Sequence, residues 1–159
     1  MRHNRFFLAL GLGLIVFLSA CNNEVKLPYE FKSQPIQGLI DNQDWLFVEG
    51  VARPSIFNED TLFIQLFNES RPTPCDYLIS ERGARFTVPA QPGLYLLSSI
   101  AQTYQVISLY QGEAEYPALS GAIEIIQIDS VEGIVSGQID ARYDGSNYLN
   151  GSFTVPLCN

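Results

Sequence analysis

Past residue 20 this 159-residue chain has no histidine, its single imidazole being His3. Without imidazole it lacks the commonest general base near neutral pH, the Ser-His-Asp and Cys-His arrangements, and the ligand most zinc sites use. Basic residues are scarce as well. After residue 20, seven Lys and Arg stand against seventeen Asp and Glu, a formal charge of −10. That balance argues against nucleic acid, whose phosphates demand clustered Lys and Arg. No G-x-S-x-G elbow, no G-x-x-x-x-G-K-S/T phosphate loop and no D-x-D/N-x-D/N-G calcium loop occurs. No apolar run reaches the roughly 20 residues needed to span a bilayer. What remains implies no cofactor, no metal and no catalytic residue, and the expectation is a protein that is not an enzyme.

The amino terminus carries the most specific signal. Arg2, His3 and Arg5 precede an apolar and glycine run from Phe6 to Phe17, followed by the small residues Ser19 and Ala20. Positive, greasy and small-residue regions in that order read as a secretory signal peptide over residues 1–20. Leu18-Ser19-Ala20-Cys21 resembles the lipobox of bacterial lipoproteins. The resemblance implies a diacylglycerol on the Cys21 sulfur, cleavage before it, and acylation (palmitate) of the new amino terminus. One acyl chain holds only reversibly, at about 0.8 kcal/mol per buried methylene, so several on one residue make a durable membrane anchor. The alternative is a Cys21 that is buried or disulfide-bonded behind an ordinary signal. Residues 21–37 are polar, broken by Pro28 and Pro35 and without period. They read as a lipidated tether, which if flexible holds the following domain on the order of 20 Å from the lipid.

Residues 38–159 fit one domain. Apolar and β-branched runs recur every ten to fifteen residues between Gly, Pro, Asn and Asp, with no sustained 3.6-residue stripe, which is an all-β pattern. Expected strands are Trp45 to Ala52, Thr61 to Phe67, Arg85 to Val88, Gly93 to Ile100, Thr103 to Tyr110, Ala122 to Asp129, Gly133 to Tyr143 and Tyr148 to Val155. Val135, Gly137, Ile139 and Ala141 alternate with Ser136, Gln138, Asp140 and Arg142, which predicts one apolar and one wet face. Asp144-Gly145-Ser146-Asn147 supplies the hairpin turn. The apolar parity switches at Ile125-Ile126, which predicts a β-bulge. About eight short antiparallel strands make a single β-sandwich or a flattened barrel. Cys75 and Cys158, an even pair in an oxidising compartment, are expected to form a disulfide, with two free buried thiols as the alternative.

Candidate sites are few. Tyr104 and Tyr110 share one strand parity and are the ligand-binding candidates, although two core residues would show the same pattern. The carboxylate pairs Glu113 with Glu115 and Asp129 with Glu132 suit glycoside hydrolysis in principle and solvated loops in practice. Asp140, Asp144 and Asn147 offer oxygens to a calcium ion, though their plain reading is turn chemistry. Leu62, Ile64 and Leu66 share one parity of their strand and Phe63 and Phe67 the other, so a second layer covers the outer face or an aromatic patch stays exposed.

The segments "DWLFVEGVA", "GLYLL", "SGAIEI" and "GIVSGQIDARYDGSNYLNGSFTVPLC", with Cys75 mid-chain, resemble the small single-domain lipoproteins of Bacteroidota. Such chains often close in an N-G-x-F strand and a terminal cysteine, here Asn150-Gly151-Ser152-Phe153 and Cys158. The resemblance implies a β-rich domain held at the cell envelope, most often the outer membrane, on either its periplasmic or its surface side. The expectation is a non-catalytic envelope module binding a protein or glycan. Behind it stand a barrel-like carrier of a small apolar ligand and a carboxylate-only glycoside-active enzyme.

Overall fold

The computed structural model describes residues 27–73, 75, 81–98 and 105–158. Its strands are β1 (Gln37–Ile40), β2 (Gln43–Leu46), β3 (Glu49–Pro54), β4 (Thr61–Phe67), β5 (Arg82–Pro89), β6 (Gly93–Leu96), β7 (Ile107–Gln111), β8 (Ala114–Ala118), β9 (Ser120–Asp129), β10 (Ile134–Arg142) and β11 (Tyr148–Pro156). They form two antiparallel sheets, ordered β2-β1-β11-β10-β9-β6 and β3-β4-β5-β7-β8. Neither sheet closes on itself, so the architecture is a sandwich.

The alternation of β4 explains its place. Leu62, Ile64 and Leu66 pair with Val88, Phe86 and Ala84 of β5 and point into the core. Val135, Ile139, Leu149 and Phe153 of the other sheet join the same cluster. Phe86 and Phe153 meet across the sandwich edge to face, with ring centroids 6.1 Å apart, a geometry aromatic quadrupoles favour. On the outer face of the five-stranded sheet Phe67 is covered, with Val51 and Cys158 beside it and the Arg71 guanidinium 3.9 Å above its ring. Phe63, four residues earlier on that face, is only half-buried.

The β10–β11 hairpin has the expected register, Gly137 opposite Phe153 and Ala141 opposite Leu149. The bulge is present too. Ser136 pairs with Gln127 and Gly137 with Ile125, leaving Ile126 as the extra residue, turned to solvent, while Ile128 regains the core side. One expected strand is two: Trp45 to Ala52 divides between β2 and β3, which lie in different sheets. The crossing is made at Phe47, whose N–H bonds the Ile36 carbonyl, and Val48, whose N–H bonds the Phe67 carbonyl. β1 and β8 were not expected; four and five residues long, they carry too little alternation to register as strands. Asp41 and Asn42, at φ +52° and +58°, make the tight β1–β2 turn that Asp and Asn tolerate best.

Cys75 and Cys158 are bridged, with alpha carbons 5.6 Å apart, in the ordinary range for a disulfide. The link ties the segment after β4 to the end of β11. It closes a separation of 83 residues, so its effect falls mainly on the entropy of the unfolded chain. Replacing both cysteines by serine is expected to lower the unfolding free energy by about 2 to 5 kcal/mol, read as a shifted midpoint in urea; an unmoved midpoint would contradict this.

Candidate functional site

The residues before β1 were expected to be a flexible tether. Instead, residues 28–32 lie as a strap against outward-facing side chains of the six-stranded sheet, and residues 34–36 pair with the Ser152 backbone beside β1, where Ile36 turns into the core. Lacking alternation, and with Pro28 and Pro35 unable to donate, the segment bonds to side chains and single backbone groups of the sheet. The Glu30 N–H donates to Asp140 Oδ2 (2.9 Å) and the Lys32 N–H to Asn150 Oδ1 (2.9 Å), while Asn150 Nδ2 donates to the Glu30 carbonyl (2.7 Å). The Ser152 N–H and Oγ both donate to the Gln34 carbonyl, at 2.8 and 3.1 Å, and the Ile36 N–H donates to the Ser152 carbonyl at 3.2 Å. Gly151 makes the approach possible. At φ +138° it lies where a Cβ would fall 2.5 Å from the Gln34 carbonyl oxygen.

This strap overturns part of the expected wet face. Asp140 and Asn150 are direct partners across the β10–β11 ladder, and Asp140 is only 2 % exposed. A buried carboxylate needs compensation. The Arg142 guanidinium supplies it, bonding both Asp140 oxygens, through Nε at 2.9 Å and also through Nη2. Arg142 also donates to the Pro28 carbonyl (3.2 Å). Its pKa is held above the ordinary value by the Asp140 hydrogen bond, against burial, which lowers it.

The strap therefore enters at the end of the sandwich that carries the 41–42, 112–113 and 144–147 turns. Asn147 Oδ1 accepts from the Asp41 N–H (2.7 Å), and Asp144 Oδ1 accepts from the Ser146 N–H and Asn147 Nδ2. Tyr116 donates to Asp41 (3.1 Å); burial first, and then this bond, raise its pKa. Arg82 bonds the Ile40 and Gln43 carbonyls (3.0 and 2.5 Å), joining the two sheets there. Of the oxygens considered for calcium, those of Asp140 thus serve Arg142 and the Glu30 N–H, while Asp144 and Asn147 bond each other and the turn backbone. Among the described residues no group of three His, Cys, Asp or Glu side chains is placed to hold a metal ion.

The opposite end is apolar. Ile56 and Phe57, at the tip of the β3–β4 hairpin, are 91 % and 92 % exposed, and Val131, in the β9–β10 turn, is 95 % exposed. The Leu157–Ala52 bridge and the Leu157 N–H bond to the Gly133 carbonyl bring both turns to this end. Both are held by their own hydrogen bonds. Thr61 Oγ1 and N–H bond the Asn58 carbonyl, and the Asp60 N–H bonds Asn58 Oδ1. The Val131 and Glu132 N–H groups share Asp129 Oδ1, each at 2.9 Å. Beside the tip, Arg53, Pro54, Ile56, Phe57, Phe63 and Thr87 line an open groove of about 320 Å³.

Cys21 and Tyr104 lie outside the described residues. Tyr110, the other stacking candidate, is 5 % exposed, with the Arg85 guanidinium 5.2 Å from its ring centroid, and offers no open face to a ligand. Arg85 also pairs with Glu115, which accepts a further bond from Ser108 (3.0 Å). Asp129 is a turn cap. Of the two carboxylate pairs, Glu115 is thus engaged with Arg85 and Ser108, and Asp129 with the Val131 and Glu132 N–H groups. Ile56, Phe57 and Val131 escaped sequence reading because isolated apolar residues in turns leave no period; the legible cue was an apolar pair caught between Pro54 and Asn58-Glu59-Asp60. No protein-family model, no curated protein and no solved structure matches this chain.

Asn150→Ala is expected to cost about 1 to 3 kcal/mol, the strap losing two buried partners, and to raise tryptic cleavage after Lys32 roughly tenfold. Gly151→Ala should act in the same direction through the strap's displacement. Unchanged cleavage in both variants would show that the strap is not held there.

Proposed function

We propose that the protein is a lipid-anchored, non-catalytic module of a bacterial cell envelope that binds a protein partner. The observation that carries this reading is the separation of two ends. The strap of residues 28–34 is pinned at the turn end, while the three most exposed apolar side chains, Ile56, Phe57 and Val131, sit at the other. An anchor at one end and an adhesive tip at the other is the arrangement of a display module.

Several features support it. The segment 1–20 has the order of a secretory signal and runs into Leu18-Ser19-Ala20-Cys21. The Cys75–Cys158 disulfide fits an oxidising, extracytoplasmic compartment. Among the described residues no helix is long and apolar enough to cross a membrane. In the histidine-free body Glu69, Glu115 and Asp140 are held in ion pairs and Asp129 and Asp144 in turns, which favours binding over chemistry. The carrier reading is less well supported, because the space between the sheets is filled by Leu62, Ile64, Leu66, Phe86, Ile139 and Phe153. With Pro28 already bonded to Arg142, only six residues separate it from Cys21, so the domain would stand within about 25 Å of the lipid.

Metabolic labelling with a palmitate analogue is expected to mark the wild-type protein and to leave Cys21→Ser unmarked and released from the membrane fraction. Label retained by Cys21→Ser would overturn the anchor. Protease treatment of intact cells assigns the periplasmic or surface side.

A further inference from the structure

We propose that the tip formed by Ile56, Phe57 and Val131, with the Phe63-floored groove beside it, docks a protein partner whose apolar contact surface is rimmed by Lys and Arg. The inference deepens the proposed function by naming the partner's chemistry, and it rests on that reading only where it uses the anchor.

The exposure is built in. Ile56 and Phe57 are not side chains left over on a drifting loop; the Ser55 N–H bonds the Thr61 carbonyl (2.9 Å), the Phe57 N–H reaches Ser55 Oγ (3.3 Å), and the Ala90 N–H bonds the Asp60 carbonyl (2.8 Å). Asp129 fixes the Val131 turn in the same way. Rigid presentation of apolar side chains lowers the ordering cost of association, and an aromatic anchor beside a pocket is the usual centre of an interface. Scattered single exposed hydrophobics need no explanation, whereas Pro54, Ile56, Phe57 and Phe63 come together around one groove, with Arg53, Ser55 and Thr87 among them.

Charge selects among occupants. Glu59 and Asp60 flank the hairpin tip, and Asp129 and Glu132 flank the Val131 turn, against Arg53 alone, which already donates to the Cys75 carbonyl (3.4 Å). Four carboxylates around a small apolar centre disfavour an anionic bilayer, and they disfavour a second copy of a chain whose mature charge is −10. They complement a basic rim, which also speeds encounter. The chain's own tail is excluded as well. Six residues from Cys21 to Lys26 span about 20 Å at full extension, and they start from the turn end, whereas nine-residue β10 alone covers about 30 Å.

The test uses the full-length protein in its own cells, with the photo-reactive residue benzoylphenylalanine replacing Phe57 and, as a control, Tyr143 at the turn end. The proposal expects a protein adduct from position 57 and not from position 143, with Lys or Arg in the cross-linked peptide. It expects that adduct to fall at least about tenfold when Glu59 and Glu132 are both changed to Lys in the same chain. Retention of the disulfide, read as a mobility difference on non-reducing gels, shows that each variant is folded. An adduct to a second copy, an adduct to phospholipid, an adduct indifferent to the charge reversals, or no adduct from a folded protein overturns the proposal. Palmitate-analogue labelling of the same strains reads the anchor separately, so either idea can fail alone.

Discussion

A short irregular segment, hydrogen-bonded to one outward-facing patch of a β-sheet, sets the layout of this protein. Asp140, Asn150 and Ser152 occupy positions that alternation assigns to water, yet they bind the backbone of residues 30–36. The carboxylate of Asp140 is tolerable there only because Arg142 neutralises it on one side and the Glu30 N–H satisfies it on another. Gly151 completes the patch by leaving room for the Gln34–Ile36 backbone. Seen this way, the Asn-Gly-Ser-Phe run of β11 is a receptacle: two residues hold the strap, one makes space, and Phe153 turns inward to Phe86.

The strap converts a sandwich with two equivalent ends into one with a direction. Chain entry, tight turns and inter-sheet hydrogen bonds from Arg82 gather at one end. Rigid turns with exposed Ile56, Phe57 and Val131 gather at the other. The disulfide reinforces the same polarity, since it fastens the segment after β4 to the last residues of β11, close to where Ala52 bonds the Cys158 N–H.

Much of the sheet structure was legible from the sequence, and the reason is burial. Tyr148–Pro156 alternates because one face meets a packed core, Leu62, Ile64 and Leu66 share one parity of β4 for the same reason, and the parity switch at Ile125-Ile126 marked the bulge. The two late cysteines named their own bridge. Features set by polar contacts left no such trace. Alternation showed Asp140 as polar and could not reveal that another segment would cover it. The strap itself has no period, because its partners are the Asp140 and Asn150 side chains and the single Ser152 backbone, reached one at a time. The division of Trp45–Ala52 between sheets was hidden because both halves are apolar, and only the crossing at Phe47-Val48 tells them apart. The tip was invisible for the opposite reason, since Ile56, Phe57 and Val131 are almost fully exposed and, among the described residues, join no core cluster.

The central claim is that the strap is part of the folded body and thereby fixes which end the amino-terminal chain leaves. Amide hydrogen exchange of the full-length protein, followed by NMR, tests it most directly. The Glu30, Lys32 and Ile36 amides, which donate to Asp140, Asn150 and Ser152, should exchange at least about a hundredfold more slowly than an unstructured chain. Exchange of all three at the unstructured rate, with β10 and β11 amides still protected, would contradict the account.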